Sequence, residues 1–410
     1  FCVSSPSVSI PPASAPASVT MTPLERRASL SLALIFALRM LGLFLVLPVF
    51  ALEAAKFPGG DDPARVGLAM GIYGLTQGLL QLPFGMASDR FGRKRVIVLG
   101  LLMFAAGSFL AASADSLTGL LLGRAVQGAG AISAAVTALL ADQTRDAVRT
   151  KAMALVGGSI ALVFALSLVL APVLVAHIGL AGLFVLTGGL ALAGVAAVLW
   201  VVPPEPLLPK NQPRGKLSEV LSHPGLLRLN FGVFVLHAVQ LAMWMAVPAL
   251  LLQAGLDKAH HWWVYLPAVL GAFVVMGGSL FPLERRGYLR GVFLAAIALI
   301  ALVQLGLLWV TQAPQISTMA VLLFLFFCGF NVLEASQPSL ASRMAPAPVR
   351  GSALGVYNTL QSLGYFAGGL AGGALLKWGG THSLFTACAL AMLAWLAVAW
   401  PMQAPAKVTA

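Results

Sequence analysis

The sequence predicts an all-α membrane protein, and its composition alone excludes a water-soluble fold. Of its 410 residues, 59% are hydrophobic and only 9% are charged, and the mean hydropathy is +0.93. Soluble globular domains carry about 25% charged residues. The hydrophobic residues and the 42 glycines are enough for about twelve membrane helices of roughly 22 residues each.

Apolar runs separated by polar segments mark the predicted spans. Each run is long enough to cross a hydrocarbon core about 30 Å thick. The predicted spans are residues 30–51, 66–87, 96–114, 119–141, 152–176, 180–202, 226–252, 262–283, 291–311, 315–342, 352–376 and 382–401.

A proline-rich polar segment at 203–225 separates the sixth span from the seventh and is predicted to be a cytoplasmic linker. Arg149 and Arg350 open the fifth and eleventh spans with a similar pattern, which suggests two parallel six-helix repeats, at 21–202 and 226–403. Two such halves can rock about a substrate site between them. The Ser/Pro/Ala-rich residues 1–20 are expected to be a disordered tail, and 404–410 a short cytoplasmic tail.

The net charge of +12 is interpreted as a topology signal. Basic residues concentrate in alternating polar segments, and the positive-inside rule makes these segments and both termini cytoplasmic. We therefore expect a multi-pass protein of the inner (plasma) membrane, surrounded by lipid, and no nucleic-acid partner. The basic segments are 26–27, 90–95, 145–151, 210–228, 285–290, 343–350 and Lys407.

The loop between the second and third spans carries the most specific motif. It reads Gly85-Met-Ala-Ser-Asp89-Arg90-Phe-Gly92-Arg93-Lys94-Arg95, and it resembles motif A of the major facilitator superfamily. Arg124-Ala-Val-Gln127-Gly-Ala-Gly in the fourth span resembles motif B of that superfamily. The runs that begin at Leu38, Gly71 and Gly355 are similar to its YajR branch, which is grouped with drug/proton antiporters.

This resemblance implies a fold of twelve transmembrane helices in two pseudo-symmetric bundles. It also implies secondary transport by alternating access, with a proton as coupling ion and no cofactor. In the fifth span, Ala171-Pro172-Val173 stands where drug antiporters have a glycine-flanked Gly-Pro, so the direction of transport stays open. The YajR type carries a soluble domain after the twelfth span, which we do not expect here because the sequence ends at Ala410.

Asp89 is the informative residue of the motif A loop. One acid among four bases does not help to keep the loop on the cytoplasmic side, so it needs another explanation. A carboxylate can face the positive N-terminal end of another helix, which the resemblance implies is the eleventh, beginning near Gly351. The resemblance also implies a pair between Arg93 and Asp142. The alternative is that the bases only anchor the loop. The predicted conformational latch comprises Gly85, Asp89, Arg90, Gly92, Arg93, Lys94 and Asp142.

Few ionisable side chains fall inside the predicted spans, where a charge costs about 2.5–3.5 kcal/mol. Glu334 is the only acid well inside any span, so it is the candidate proton carrier. The alternatives are that Glu334 pairs permanently with an arginine or caps a broken helix before Pro338, and that His237 is a structural hydrogen-bond donor. The predicted coupling residues are Glu334, Arg39, Arg124 and His237.

Polar side chains repeat at helical spacing on three spans and are predicted to line a substrate cavity. Hydrogen bonding between helices is the alternative explanation of such stripes. The predicted cavity residues are Tyr73, Gln77, Gln81, Gln127, Gln240, Trp244, Asn331, Asn358, Gln361 and Tyr365.

Together these features predict a monomeric, proton-coupled antiporter that exports small hydrophobic or amphipathic molecules. The alternative is a proton symporter for uptake of a sugar, an amino acid or an organic acid. A membrane-embedded enzyme, for which Asp257, His260 and His261 are the nearest approach to an active site, and a passive channel are more distant alternatives. The positions of the three cysteines indicate no metal cluster. The sequence has no Walker loop, HExxH pair or nucleophile elbow, which argues against ATP-driven pumping and catalysis.

Overall fold

The fold is known from a computed structural model, which describes residues 20–205, 217–346 and 349–402. Throughout these ranges the regular structure is helical. The helices are α1 (Pro23–Ala54), α2 (Pro63–Phe91), α3 (Arg93–Ala112), α4 (Leu117–Ala129), α5 (Ser133–Asp142), α6 (Asp146–Trp200), α7 (Leu217–Ser222), α8 (Pro224–Gln253), α9 (Trp262–Arg285), α10 (Leu289–Val310), α11 (Ile316–Met344) and α12 (Arg350–Ala399), with a 3₁₀ turn at Lys258–His260.

These helices agree with the predicted spans once three interruptions are recognised. The fourth span is divided into α4 and α5 by residues 130–132. The longest helices, α6 and α12, each cover two predicted spans and bend at Gly179 (φ 67°) and Gly380 (φ 63°). Both bends have a left-handed backbone that favours glycine. Within the described ranges, nine helical segments are long and apolar enough to cross a membrane.

Helix α1 begins seven residues before the predicted span, at a capping box made by Thr22 and Glu25. Arg145 Nε donates to Glu25 Oε1 (2.8 Å), which ties this helix start to the loop before α6. The hydrogen bond from Arg145 lowers the pKa of Glu25 far below its ordinary value, although burial opposes the shift. Hydropathy cannot locate the start of α1 because its first turns precede the apolar run.

The predicted linker contains a short helix, α7, and its residues 206–216 lie outside the described part of the chain. The same holds for 1–19 and 403–410, which include nearly all of the two predicted tails. We refer to residues 20–205 as the N-terminal half and to the remaining described residues as the C-terminal half. Large apolar side chains such as Trp309 and Trp378 are more than 80% exposed, which suits a hydrocarbon surrounding.

The two halves meet chiefly where α2 packs against α12, with further contacts of α1 with α8 and of α6 with α9. A Cβ added to Gly67 would overlap the carbonyl oxygen of Gly369, so these two backbones touch. Further along, a Cβ on Gly355 would meet only the end of the Leu82 side chain, at 3.8 Å, and one on Gly351 would meet nothing within 4 Å. The α2–α12 contact therefore loosens from one end to the other.

Candidate functional site

Two buried arginines and a tyrosine form one wall of the interface between the halves. Arg39 of α1 donates from Nη2 to the Tyr73 hydroxyl (2.8 Å) and from Nη1 to Ser133 Oγ (3.3 Å). The guanidinium of Arg124 lies over the Tyr73 ring, 4.9 Å from its centroid, in a cation–π arrangement. Tyr73 therefore lies between two positive charges, and both arginines are only 1% exposed.

Motif B supplies the support for this wall. Arg124 donates from Nη1 to Gln127 Oε1 (2.7 Å), and Gln127 in turn donates to Ser108 Oγ on α3 (2.9 Å). The Nη2 atom of Arg124 donates to the Met70 carbonyl (3.3 Å). Within the described ranges, neither Arg39 nor Arg124 forms an ion pair with a carboxylate. The described groups that contact these two charges are hydrogen-bond dipoles and aromatic rings.

The opposite wall belongs to the C-terminal half and carries the acid. Glu334 of α11 lies with Oε2 3.3 Å from His237 Nε2 of α8. The amide of Gln361 on α12 contacts both partners, with Nε2 2.8 Å from His237 Nε2 and 3.3 Å from Glu334 Oε1. The structure thus brings together three predicted residues from three helices.

The hydrogen bonds of His237 define its tautomer. Its Nδ1 lies 2.8 Å from the Val233 carbonyl, which can only accept, so Nδ1 carries the proton. Nε2 is then free to accept from the Gln361 amide, whose second hydrogen is available to Glu334. The His237 side chain is 1% exposed, whereas that of Glu334 is 38% exposed although it lies well inside α11. The Glu334 side chain is therefore the more accessible member of the pair, although its Oε2 atom is buried without a hydrogen-bond partner in the protein.

Tyr365 connects the two walls. Its ring packs edge-on against His237 with centroids 4.9 Å apart. It also borders a narrow cavity of about 10 Å³, which is about the space of one water molecule. The cavity is lined by Leu43, Leu47, Met70, Tyr73, Gly74, Arg124, Leu241 and Tyr365, and so receives side chains from both halves.

Of the predicted cavity residues, Tyr73 and Tyr365 line this cavity, and the others lie elsewhere in the protein. Gln77 and Asn358 are half-buried. Trp244 is fully buried, with its ring 5.4 Å from that of Tyr265, and is not among the residues that line the cavity. Gln81, Gln240 and Asn331 are buried and keep side-chain polar atoms without a hydrogen-bond partner in the protein.

Sequence reasoning missed two further polar residues of this region. Both amide atoms of Gln337, one turn beyond Glu334, and the hydroxyl of Tyr357 are buried without a partner in the protein. Buried polar groups of this kind are uncommon in proteins and mark places where water or a ligand can bind. The signal in the sequence was the polar spacing Asn331, Glu334, Gln337 on one face of α11.

Ion pairs join the halves at the end where α1 finishes and α2 begins, which we name the Glu53 face. Lys258 Nζ donates to Glu53 Oε1 (2.7 Å), and Lys377 Nζ donates to Asp62 Oδ2 (2.7 Å). Lys56 Nζ also donates to Glu53, on Oε2 (2.7 Å). Burial raises the pKa of Glu53, but the hydrogen bonds and charges of the two lysines outweigh it and leave this pKa below its ordinary value. The hydrogen bond from Lys377 lowers the pKa of Asp62.

The opposite end contains motif A and is named the Arg93 face. Arg93 pairs with Asp89 and, through Nε, with Asp142 Oδ2 (3.1 Å). Arg93 Nη1 also donates to Ser88 Oγ (2.8 Å). Among the described residues, the ion pairs Arg93–Asp89, Arg93–Asp142, Arg145–Glu25 and Arg343–Glu284 on this face each join residues of one half.

The motif A loop is also bound to the start of the linker. Glu205 accepts hydrogen bonds from the backbone N–H groups of Arg93 (3.0 Å) and Lys94 (2.6 Å), while Lys94 Nζ donates to the Val202 carbonyl (2.7 Å). Burial lowers the pKa of Lys94, and Glu205 partly opposes that shift. Gly92 has φ 99°, the left-handed backbone that lets the chain reverse between α2 and α3. The linker acid has no recognisable signal in the sequence.

Comparison with known proteins decides the family. A family model described as Major Facilitator Superfamily matches residues 32–369, with a further match over 281–409. The chain belongs to the Major Facilitator Superfamily. It is 44% identical over 397 residues to the inner membrane transport protein YajR of Escherichia coli (strain K12), covering 95% of this chain and 86% of YajR. It is also 28% identical over 355 residues to the multidrug resistance protein MdtH of Aeromonas salmonicida (strain A449), covering 84% of this chain and 86% of MdtH.

The fold has close counterparts among solved structures. The crystal structure of a bacterial homolog of the human lysosomal transporter Spinster superposes with a TM-score of 0.72 at 14% identity, covering 93% of this chain and 97% of that one. The predicted all-α fold of the superfamily and the resemblance to the YajR branch are thus confirmed. The transporter is not an enzyme, and its family works on small molecules in the membrane without a cofactor.

Proposed function

We propose that the transporter is a proton-coupled antiporter that exports small hydrophobic or amphipathic molecules across the inner membrane. The observation that carries this proposal is the contact of Glu334 with His237 and Gln361 at the interface of the halves. A titratable carboxyl inside a membrane helix is costly, and it is retained where protons or ions are moved. The name of the related MdtH, a multidrug resistance protein, supports export.

The chemistry of the proposed coupling site follows from its hydrogen bonds. In the observed arrangement Gln361 donates to His237 Nε2 and to Glu334 Oε1. Glu334 Oε2 faces the same unprotonated Nε2 at 3.3 Å, so the negative charge of an ionised carboxylate would meet a lone pair there. A proton on Glu334 removes this negative charge and turns one acceptor into a donor. A neutral Glu334 side chain is enclosed in an apolar interface at much lower cost than a charged one when the halves change conformation. Proton binding and release at Glu334 would thereby control when the halves can change conformation.

The positive-inside rule supports an orientation for this cycle. Arg90, Arg93, Lys94 and Arg95 lie on the Arg93 face, which we therefore assign to the cytoplasm together with both termini. The Glu53 face is then periplasmic. Its cross-half ion pairs and the touching backbones of Gly67 and Gly369 make the described conformation closed to the periplasm. The two units that rock against each other are proposed to be residues 21–202 and 226–403, as the sequence predicts.

Energetics allow such a cycle with a single proton. One proton that moves down 100 mV releases about 2.3 kcal/mol, which sustains about a fifty-fold gradient of a neutral solute. The superfamily's usual monomeric state is enough for this mechanism.

The proposal is tested with the purified full chain in proteoliposomes under an imposed pH gradient. The probes are tetracycline, a quinolone, naphthoate and naphthylmethanol. Antiport requires that a probe accumulate when the lumen is acidic, because each entering molecule is exchanged for a leaving proton. Accumulation only when the bath is acidic would establish symport and overturn the proposal. Flux that does not saturate, or that no gradient drives, would also overturn it.

A matched pair of variants assigns the coupling role to Glu334. Glu334→Gln keeps the shape of the side chain but cannot carry a proton, so gradient-driven accumulation should be lost while exchange of labelled for unlabelled probe continues. Glu219→Gln makes the same change on an exposed residue of α7 and should behave as the unmodified protein. Accumulation that persists in Glu334→Gln would remove this residue from the mechanism.

A further inference from the structure

The charges of the cavity point to the chemical class of the substrate. Arg39 and Arg124 are each 1% exposed, and within the described ranges neither forms an ion pair with a carboxylate. A buried guanidinium is costly when no anion compensates it. Two of them on one wall make a region of positive potential, whereas the acid Glu334 lies on the opposite wall.

The hydrogen-bonding capacity of this wall is only partly used. The Nε atoms of Arg39 and Arg124 are both buried without a hydrogen-bond partner in the protein. The Tyr73 hydroxyl accepts from Arg39 (2.8 Å), so its own hydrogen remains available to donate. Arg124 and Tyr73 both line the cavity between the halves. The unused donors of Arg124 and Tyr73 at this cavity suit an acceptor that carries negative charge, and Arg39 adds its positive charge from outside the lining.

The rest of the cavity lining is apolar. Leu43, Leu47, Met70 and Leu241 surround the same space, with the ring of Tyr365 on the side of the C-terminal half. A ligand that fits these walls has one charged end and a hydrophobic body. The cavity of about 10 Å³ is too small for such a ligand, so binding requires the halves to separate as they do in alternating access.

We propose that the substrate is an amphipathic organic anion whose carboxylate or sulfonate head binds Arg124 and the Tyr73 hydroxyl. Arg39 does not line the cavity, but it orients the Tyr73 hydroxyl through the 2.8 Å hydrogen bond. The head then lies on the wall opposite Glu334, and the body extends along the leucines. This inference rests on the proposed transport function and adds the charge of the molecule transported.

Three probes that share a naphthalene body separate the charge from the hydrophobic contribution. Naphthoate, naphthylmethanol and naphthylmethylammonium are titrated into the purified full chain, and binding is followed by calorimetry. Naphthoate should bind about ten- to hundred-fold more tightly than the alcohol, because its head forms charged hydrogen bonds, and the ammonium should bind most weakly. Equal binding of the three, binding of none, or preference for the ammonium overturns the proposal.

Variants of the arginine test whether this wall is responsible. Arg124→Gln should abolish the preference for naphthoate, and Arg124→Lys, which keeps the charge but not the forked geometry, should retain part of it. Arg286→Gln, on an exposed position of the Arg93 face, should leave the preference unchanged. A preference that survives in Arg124→Gln assigns the arginine to structure alone and overturns the site. The head-group comparison in the unmodified protein stands even if Arg124→Gln fails to fold.

The outcomes for the charge of the substrate and for proton coupling are separable. Proton-driven accumulation of naphthylmethanol without any preference for naphthoate would uphold the antiporter and refute the anion site. Selective binding of naphthoate without proton-driven flux would uphold the anion site and refute the proton-coupled antiporter.

Discussion

Lys258 Nζ lies 2.7 Å from Glu53 Oε1 and joins the C-terminal half to the N-terminal half at the Glu53 face. Glu53 is the centre of this contact, because Lys56 binds its other oxygen at the same distance. The side chain of Glu53 is only 9% exposed, so its loss leaves two ammonium groups near each other without a counterion. A single carboxylate therefore balances both lysines of this cluster, beside the second cross-half ion pair of Lys377 with Asp62.

We expect Glu53→Gln to shift the conformational equilibrium toward opening of this face. Loss of a charged partner in a partly buried pair costs on the order of 1–3 kcal/mol, which is about a 5- to 150-fold change in population. Spin labels at Ser113→Cys and Gln312→Cys, exposed loop positions of the two halves on this face, report the change as a longer distance in pulsed electron resonance. Cys2 is replaced so that it is not labelled.

Glu219→Gln carries the same chemical change away from the interface and should leave the distance distribution as it is. An unaltered distribution in Glu53→Gln would show that the ion pair does not hold the face closed.

The closed Glu53 face should persist at neutral pH and weaken only in strong acid. The pKa values of Glu53 and Asp62 are lowered in the closed state, so the carboxylates stabilise that state fully above their ordinary values. This stabilisation is lost as the pH falls below about 4, through the ordinary range and toward the lowered pKa. The labelled pair should report a constant distance between about pH 8 and pH 5 and a longer one below about pH 4. Opening already near pH 6 would contradict this assignment and point to a histidine.

The close α2–α12 contact makes a further prediction. In Gly67→Ala the new Cβ overlaps the Gly369 carbonyl oxygen, so the two backbones must separate. We expect the Glu53 face to open and the melting temperature in detergent to fall by several degrees, since overpacking costs about 1–3 kcal/mol. Gly277→Ala is the control, because a Cβ there meets nothing within 4 Å. Equal melting temperatures for the two variants would exclude a tight contact.

Much of this architecture is predictable from the sequence because a bilayer imposes simple rules. Span length and hydropathy predicted the helices, and the basic loops predicted one charged face. The same rules could not locate the start of α1 at Pro23 or the helix at Leu217–Ser222, since both depend on local caps and packing outside the hydrocarbon region. The glycine bends at Gly179 and Gly380 replaced the polar loops expected between spans.

The sequence indicated which residues belong to the candidate site, but not which of them contact one another. Helical spacing selected His237 and Gln361, and Glu334 was selected as the only acid well inside a predicted span. That they contact one another depends on how α8, α11 and α12 pack, and no periodicity within a single helix contains that information. The same limit explains why Glu205 was missed, since the backbone groups of Arg93 and Lys94 that it binds are distant in sequence.

The predicted latch at motif A leads to the last prediction. In the described conformation Asp89 pairs with Arg93, and the N-terminal turn of α12 at Gly351 has open space beside it. We expect Asp89 to reach the positive end of α12 when the Arg93 face closes, so the latch stabilises the state that is open at the Glu53 face. A charge at a helix N-terminus contributes about 0.3–1 kcal/mol at an exposed site and up to about 2 kcal/mol when partly buried.

Combining two substitutions tests the latch, because Glu53 and Asp89 act on opposite conformations. Glu53→Gln opens the Glu53 face in our first prediction, and adding Asp89→Asn should return part of the population to the short distance between Ser113→Cys and Gln312→Cys. Adding Glu219→Gln instead should have no such effect. If Asp89→Asn leaves the populations of the Glu53→Gln protein unchanged, motif A only anchors its loop at the basic face, and alternating access must be controlled elsewhere.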